Sequence, residues 1–345
     1  MKVPPPINST TSAIYAHYER VADDGLRPHL GASLIGHHCN RFLWYTFRWG
    51  AIEKLEGRLL RLFETGQLEE NRIVANLKAI GCEVYQTDED GKQFHFSTLN
   101  GHFGGSMDAC AKGIPEAPAT WHVVEMKTHA EKSFNDLVKN GVQQSKPMHY
   151  AQMQVYMGLS GMERALYFAV NKNTDEIYTE RIHFDETFFK GLIDKAEMVI
   201  NAPTPPVGIS QNPSWYECKM CKYYSVCHQT DVPPPTCRSC AHSTPVADGK
   251  WQCERGQFDI SLGQQKAGCS DHRYIPILLE RFAFQRDGSN EENWVRYRNK
   301  DTNNDFFNGD IGFSSQEIYD CKDKKALGAP MVKSFKDIFD ATLEG

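Results

Sequence analysis

The chain has 345 residues, 40% of them hydrophobic and 24% charged, with a formal net charge of -6 and a pI near 6.1. Its length suits one large domain with an appendage, or two domains, and its acidic balance argues against a protein that coats nucleic acid by bulk charge. It has no apolar run of about 18 residues to cross a membrane, and its first residues lack the apolar core of a signal peptide, so a cytoplasmic location, of the cell or of a host, is expected.

Residues 1–12 are rich in Pro, Ser and Thr and are expected to be loose, and residues 13–30 carry a short helical pattern. Positive charge gathers at 37–61, where Arg41, Arg48, Lys54, Arg58 and Arg61 face only Glu53 and Glu56. The aromatics Phe42, Trp44, Tyr45, Phe47 and Trp49 in that stretch suit a core, or stacking on single-stranded bases. From 51 to 80, Leu55, Leu59, Leu62, Phe63, Ile73, Leu77 and Ile80 recur at helical spacing until Gly81 stops the pattern. Strand-like runs follow at 82–87, 93–99, 106–112 and 121–127. A helix is expected at 148–160, a strand pair at 165–171 and 176–184, and a helix at 186–200, which together predict a mixed α/β core. Pro-rich breaks lie at 202–214 and 232–236, and residues 281–345 read as a polar, weakly packed tail.

The chemistry-bearing pattern centres on residues 121–127, WHVVEMK. Alternate residues of a strand share a face, so Glu125 and Lys127 enter one cleft while His122, Val124 and Met126 point away. Gly101, Gly104 and Gly105 permit a tight turn before Asp108, and the intervening loop allows an antiparallel return that sets Asp108 beside Glu125. Two carboxylates supply hard oxygens for Mg²⁺ or Mn²⁺. Such a metal polarises a phosphate and lowers the pKa of a water, and a neighbouring lysine offsets transition-state charge. A Glu/Lys pair on a surface strand is the bland reading. Two helical patterns add to the chemical one: Gln152 and Tyr156 share a helix face, with Gln154 on the other side, and Glu70 lies one turn after Gly66.

The set Gly66 to Glu70, Gly105 to Asp108, Glu125 to Thr128 and Tyr150 to Met157 resembles the RecB-type and phage-recombination branch of the PD-(D/E)XK nucleases, which includes lambda-type and YqaJ-type exonucleases. The resemblance covers about residues 55–185. It implies a restriction-endonuclease-like mixed sheet flanked by helices. It also implies that Asp108, Glu125 and the Met126 carbonyl bind metal, that Lys127 is catalytic, that Gln152 supports the site and that Glu70 contributes from the first helix.

Eleven cysteines in a chain read as intracellular, two pairs of them spaced CxxC, point to metal rather than disulfides. Cys218, Cys221 and Cys227 leave a site one ligand short, and Cys39 is the natural fourth. One cysteine before the core and three after it resemble the iron–sulfur subgroup of the same superfamily, the CRISPR-associated and AddB-type nucleases, and imply a [4Fe–4S] staple closing a loop of about 180 residues. Zinc on the triplet with His228 is the alternative. Cys237, Cys240, Cys253 and Cys269 read as a small zinc ribbon, with His272 a substitute for Cys269 and His242 a weaker rival. Cys82, Cys110 and Cys321 have no partners in the pattern, and His102 and His149 lie near enough to the motifs to meet DNA.

The organisation expected is an extension at 1–30, an iron–sulfur-stapled nuclease domain at 31–230, a zinc-binding segment at 231–280 and a tail at 281–345. The function expected is a Mg²⁺/Mn²⁺-dependent DNA exonuclease of recombination or end processing, phage encoded. Its partners would be DNA ends or single strands and a single-strand annealing or recombination protein, with no membrane. The alternatives are a structure-specific endonuclease and a non-catalytic nucleic-acid-binding module on a nuclease scaffold.

Overall fold

The computed structural model describes residues 9–339 and 341–343, so most of the segment expected to be loose, residues 1–8, lies outside it. The first part of the chain contains α1 (Thr10–Val21), β1 (Leu30–Gly31), α2 (Asn40–Phe47), α3 (Gly57–Ala79), β2 (Glu83–Tyr85), β3 (His95–Thr98), β4 (Phe103–Ser106), β5 (Ala109–Lys112) and β6 (His122–His129). It continues through α4 (Glu131–Ser145), α5 (Pro147–Ser160), β7 (Arg164–Asn171), β8 (Ile177–His183), α6 (Glu186–Asn201), α7 (Tyr216–Lys219) and α8 (Tyr224–His228).

Five strands form the central sheet in the order β2-β5-β6-β7-β8. Only β6 and β7 run parallel, and the others pair antiparallel. A parallel pair needs a crossover, which α4 and α5 supply. The two-residue period of β6 splits its side chains between two cores. Val124 and Met126 join Ile73, Val74 and Leu77 of α3 on one face, and Val123 joins the larger core beneath α5 and α6 on the other. Glu125 and Lys127 thus share the face of Val123, as the alternation predicts.

The helix expected at 51–80 starts later, at Gly57, and leaves Leu62, Phe63 and Ile80 exposed. Helices α4 and α2 are among those with no counterpart in the sequence reading. Helix α4 buries only Phe134, Leu137 and Val142 in a polar stretch and bends at Gly141, which masks its periodicity. Helix α2 is only eight residues long, too short for a period to register, and buries Leu43, Trp44, Tyr45 and Phe47. Trp44, Tyr45, Phe47 and Trp49 are core side chains, which removes them as stacking surfaces for bases; Phe42 is half-buried.

The rest of the chain adds β9 (Ser243–Pro245), β10 (Trp251–Cys253), β11 (Phe258–Ile260), α9 (Leu262–Ala267), β12 (Ala283–Ser289), β13 (Trp294–Asn299), β14 (Asp305–Gly309), α10 (Ser315–Asp320) and α11 (Pro330–Phe339). Strands β9–β11 form a small antiparallel sheet with β10 in the middle. The weakly packed tail expected after residue 280 is instead a three-stranded meander, β12-β13-β14, backed by α10. Val295, Tyr297, Phe306, Phe313 and Ile318 are buried in the same core that runs beneath α5 and α6. Three of its asparagines, Asn293, Asn299 and Asn308, are buried: Asn299 Nδ2 donates to Lys324 O at 2.7 Å and Asn308 Nδ2 to Phe313 O at 3.2 Å. Their presence hides an alternation that is there in β13. Phe306→Ala is expected to cost about 3–5 kcal/mol, because the ring is buried against Tyr297 and leaves a cavity. Urea unfolding checks this, and unchanged stability would restore the loose tail. Among the described residues no helix is long and apolar enough to cross a membrane.

Candidate active site

Antiparallel pairing of Ala109 with Val124 sets Asp108, at the mouth of β5, against the middle of β6. The Met126 amide donates to Asp108 Oδ2 at 2.9 Å, which fixes that carboxylate beside Glu125. The Lys127 ammonium donates to the Met126 carbonyl at 3.0 Å, lies 3.6 Å from Asp108 Oδ2 and stands against Glu125 Oε1 as an ion pair. Glu125 is fully buried, and neither of its oxygens has a partner in hydrogen-bonding geometry. Close contact with one ammonium leaves most of that carboxylate's acceptor capacity unmet.

The electrostatics follow from this crowding. Burial pushes the Glu125 carboxyl up to about 7, with Lys127 opposing and Asp108 adding to the rise. Burial and then Asp108 push Glu70 up to about 7 as well, so α3 delivers Glu70 to the same neighbourhood. Burial works against the Lys127 charge, but Glu125 and Asp108 outweigh it and hold the ammonium above its usual range. Three acids around one lysine, two of them reluctant to ionise, form a donor set that a divalent cation would relieve.

The sign for stability is fixed by the Glu125 shift. Its folded value lies above that of the unfolded chain, so its contribution is present below the unfolded value and lost as pH rises through about 7. Glu125→Gln is expected to raise the melting temperature of metal-free protein at about pH 8 and to lose that advantage by about pH 5. Unpairing Lys127 limits the gain to the order of 1 kcal/mol. Melting in chelator at both pH values checks this, and a difference that ignores pH contradicts it.

Helix α5 supplies the facing wall. Tyr156 donates to Ser106 O at 2.7 Å, and Gln152 lies beside its hydroxyl. Gly105 is required here, since a Cβ would stand 2.8 Å from the Tyr156 hydroxyl oxygen. Gln154 turns away, as its spacing predicts: Nε2 donates to His183 O and Oε1 accepts from the Asp185 amide, both at 2.8 Å. Gln152, Tyr156, Gly105, Arg27, His29 and His95 line a cavity of about 360 Å³. Arg27, His29 and His95 went unnoticed in the sequence, where no spacing ties them to Asp108.

His102 is buried and bonds Val246 O at 2.6 Å, so the expectation that it meets DNA is not met. His149 Nδ1 and His129 Nε2 each lie 2.8 Å from the Tyr167 hydroxyl, behind Glu125 on the neighbouring strand. Burial, ahead of the charges of Lys127 and Lys146, keeps both rings neutral, holding His129 near about 4 and His149 near about 3.

Cys39, Cys218, Cys221 and Cys227 line a second cavity, of about 370 Å³. Cys39 precedes α2, and the triplet is strapped onto that helix by Tyr223, whose hydroxyl donates to Thr46 Oγ1 at 3.1 Å. Cys221 Sγ accepts from the Tyr223 amide at 3.4 Å, and Cys227 Sγ from Arg41 Nη1 at 3.6 Å. His228 also lines this cavity, and its buried Nε2 has no partner. Burial raises the Cys218 and Cys221 thiols.

Cys237, Cys240, Cys253 and Cys269 form the other neighbourhood. Burial pushes Cys237 up to about 12, with Cys240, Cys269 and Cys253 adding to the rise, and Cys240 up to about 11. Cys240 Sγ accepts from the His242 amide at 3.5 Å and Cys253 Sγ from the Gly256 amide at 3.3 Å. N–H groups aimed at sulfur suit thiolates, and a metal would deprotonate the thiols outright. His242 Nε2 is bonded to Asn293 Oδ1 at 2.7 Å and His272 Nε2 to Ser239 Oγ and Thr236 O at 3.1 and 3.0 Å, while His272 Nδ1 is buried with no partner. Among the described residues no three His, Cys, Asp or Glu side chains are drawn in tightly enough to hold a metal ion as they stand. Cys82, Cys110 and Cys321 belong to neither neighbourhood; Cys82 donates to Gly113 O at 3.3 Å and Cys321 to Asp323 O at 3.2 Å.

No protein-family model and no curated protein matches the chain. Among solved structures, an alkaline exonuclease from Laribacter hongkongensis, LHK-Exo in complex with dAMP, is 14% identical, with 55% of this chain and 90% of that one covered and a TM-score of 0.36. SSO0001 is 16% identical over 64% of this chain and 96% of that one, with a TM-score of 0.37. A phage-related exonuclease from Haemophilus somnus 129PT is 16% identical over 39% and 66%, with a TM-score of 0.27.

Proposed function

We propose that the chain is a divalent-metal-dependent nuclease that hydrolyses DNA phosphodiester bonds, working from ends in recombination or end processing. The observation that carries this reading is Glu125, a wholly buried carboxylate whose one close partner is the Lys127 ammonium, set beside Asp108 and Glu70. An apolar interior does not keep such a group without a purpose, since its desolvation is costly.

Asp108, Glu125, the Met126 carbonyl and Glu70 would hold Mg²⁺ or Mn²⁺. When bound, the ion supplies Lewis-acid polarisation of the phosphoryl group and acidifies a water. Lys127, anchored on the Met126 carbonyl, sets a positive charge where the attacked phosphoryl group gathers negative charge. Gln152 and Tyr156 shape the wall opposite, and the Tyr156–Ser106 bond ties α5 to the segment leading into Asp108.

Cys39, Cys218, Cys221 and Cys227 are assigned to a [4Fe–4S] cluster, because one cysteine before the core and three after it line a single cavity. The 237/240/253/269 set is assigned to structural Zn²⁺. In both, the group supplies cross-linking rather than chemistry on the substrate.

The test uses 5′- and 3′-labelled linear DNA and covalently closed circles, with Mg²⁺ or Mn²⁺ and with chelator. Metal-dependent release from an end, with circles intact, is expected. Cut circles would make the enzyme an endonuclease, and no cleavage of any substrate would overturn the reading.

A further inference from the structure

Arg238 sits between the two cysteines of the C-terminal CxxC pair, yet its side chain points away from them into the first part of the chain. It is fully buried. Its guanidinium lies over the Trp251 and Trp49 rings at 4.1 and 4.4 Å from their centroids. Nε donates to Gln265 Oε1 at 2.8 Å, Nη1 to Phe47 O at 3.1 Å and Nη2 to Pro28 O at 2.9 Å. All its hydrogen bonds end on neutral oxygens and none on a carboxylate. A buried charge held this way is costly, and only the planar fork of an arginine spans three such acceptors at once.

The acceptor that matters is Pro28, because its neighbours Arg27 and His29 line the cavity shared with Gln152 and Tyr156. Residues 22–29 have no regular secondary structure of their own. Their backbone is held at three points. Trp49 Nε1 donates to Arg27 O at 2.8 Å, Arg238 donates to Pro28 O, and the Leu30 amide donates to His102 O at 2.9 Å. His102 is in turn bonded to Val246 O. Two of the three ties therefore end in the C-terminal cysteine unit. Gly31 leaves room for the Arg27 guanidinium, since a Cβ there would stand 3.0 Å from Nη1.

We propose that the C-terminal cysteine unit positions the substrate cleft: Arg238, with Val246 behind His102, holds the Arg27–His29 wall in register with Gln152 and Tyr156. Arg238 is a positioning residue; it touches neither substrate nor metal. That the wall meets DNA rests on the nuclease reading above, whereas the mechanical coupling does not.

The test compares Arg238→Gln and Arg238→Lys with Arg273→Lys in the full-length, metal-loaded protein. Arg273 is a matched control: its guanidinium donates to Ser289 O, Trp294 O and Asn290 Oδ1, all within the C-terminal unit. Exchange of the Leu30 amide, which bonds His102 O, is expected to quicken about tenfold in both Arg238 variants, the loss of one charge-assisted bond, and to stay unchanged in Arg273→Lys. On end-labelled DNA, KM should rise about tenfold with kcat within about twofold in the Arg238 variants alone. Unchanged exchange in Arg238→Gln, or equal loosening in Arg273→Lys, would overturn the coupling. A wild-type protein that cuts no DNA would remove the nuclease reading and leave the exchange result to decide the coupling by itself.

Discussion

Lys127→Ala is expected to lower metal-dependent DNA cleavage roughly 10³-fold while leaving DNA binding nearly intact. The ammonium is held at a fixed point by the Met126 carbonyl and two carboxylates, where on the proposed reading it would face the developing charge. Removing it leaves Glu125 and Asp108 facing each other without an offsetting cation. Metal affinity should therefore rise or hold, which separates this loss from a loss of metal. Lys127→Arg is not expected to rescue, because the larger planar group does not fit between Asp108 and Glu125. Single-turnover cleavage, with binding measured in a non-supporting ion, reads both quantities, and retained cleavage would remove Lys127 from the mechanism.

The second large effect is expected at Cys39. If the proposed cluster is held there, Cys39→Ser should remove it and destabilise the protein on the order of 4 kcal/mol, since a staple across about 180 residues would be lost and metal binding is folding energy. The structure accounts for the reach: α2, which Cys39 introduces, is gripped by Tyr223 of the triplet segment and by Arg41 bonding Pro206 O at 2.8 Å. Iron content, visible absorption and melting temperature report on it, with Cys82→Ser as a control that keeps all three. Full iron content in Cys39→Ser, or zinc without iron in anaerobic wild-type protein, would contradict the cluster.

The pairing of Asp108 with Glu125 was legible because β6 obeys a two-residue period; the tight turn expected from Gly101, Gly104 and Gly105 is met only at Gly101, since Gly104 and Gly105 lie within β4. Glu70 was legible only as a spacing on α3; in the structure it is half-buried and feels the charges of Asp108 and Lys127. Arg27 and His29 were invisible, since a segment without a period reaches the cleft through bonds from Trp49, Arg238 and His102 that no local pattern encodes. The same holds for His102, whose nearness in sequence to Asp108 suggests DNA while its ring is spent on Val246. The residues after 280 were misread for a different reason. Asparagine usually marks turns and surfaces, but Asn293, Asn299 and Asn308 are buried here, each closing a loop by its amide.

The central claim is that Asp108 and Glu125 hold a divalent cation next to Lys127. A crystal of the protein soaked in Mn²⁺ and measured at the manganese edge tests it most directly. An anomalous peak is expected between the Asp108 and Glu125 carboxylates, against the Met126 carbonyl, and absent from Glu125→Gln crystals soaked alike. A protein that cleaves DNA with Mn²⁺ yet shows its manganese away from these residues, or an undiminished peak in Glu125→Gln, would contradict the account.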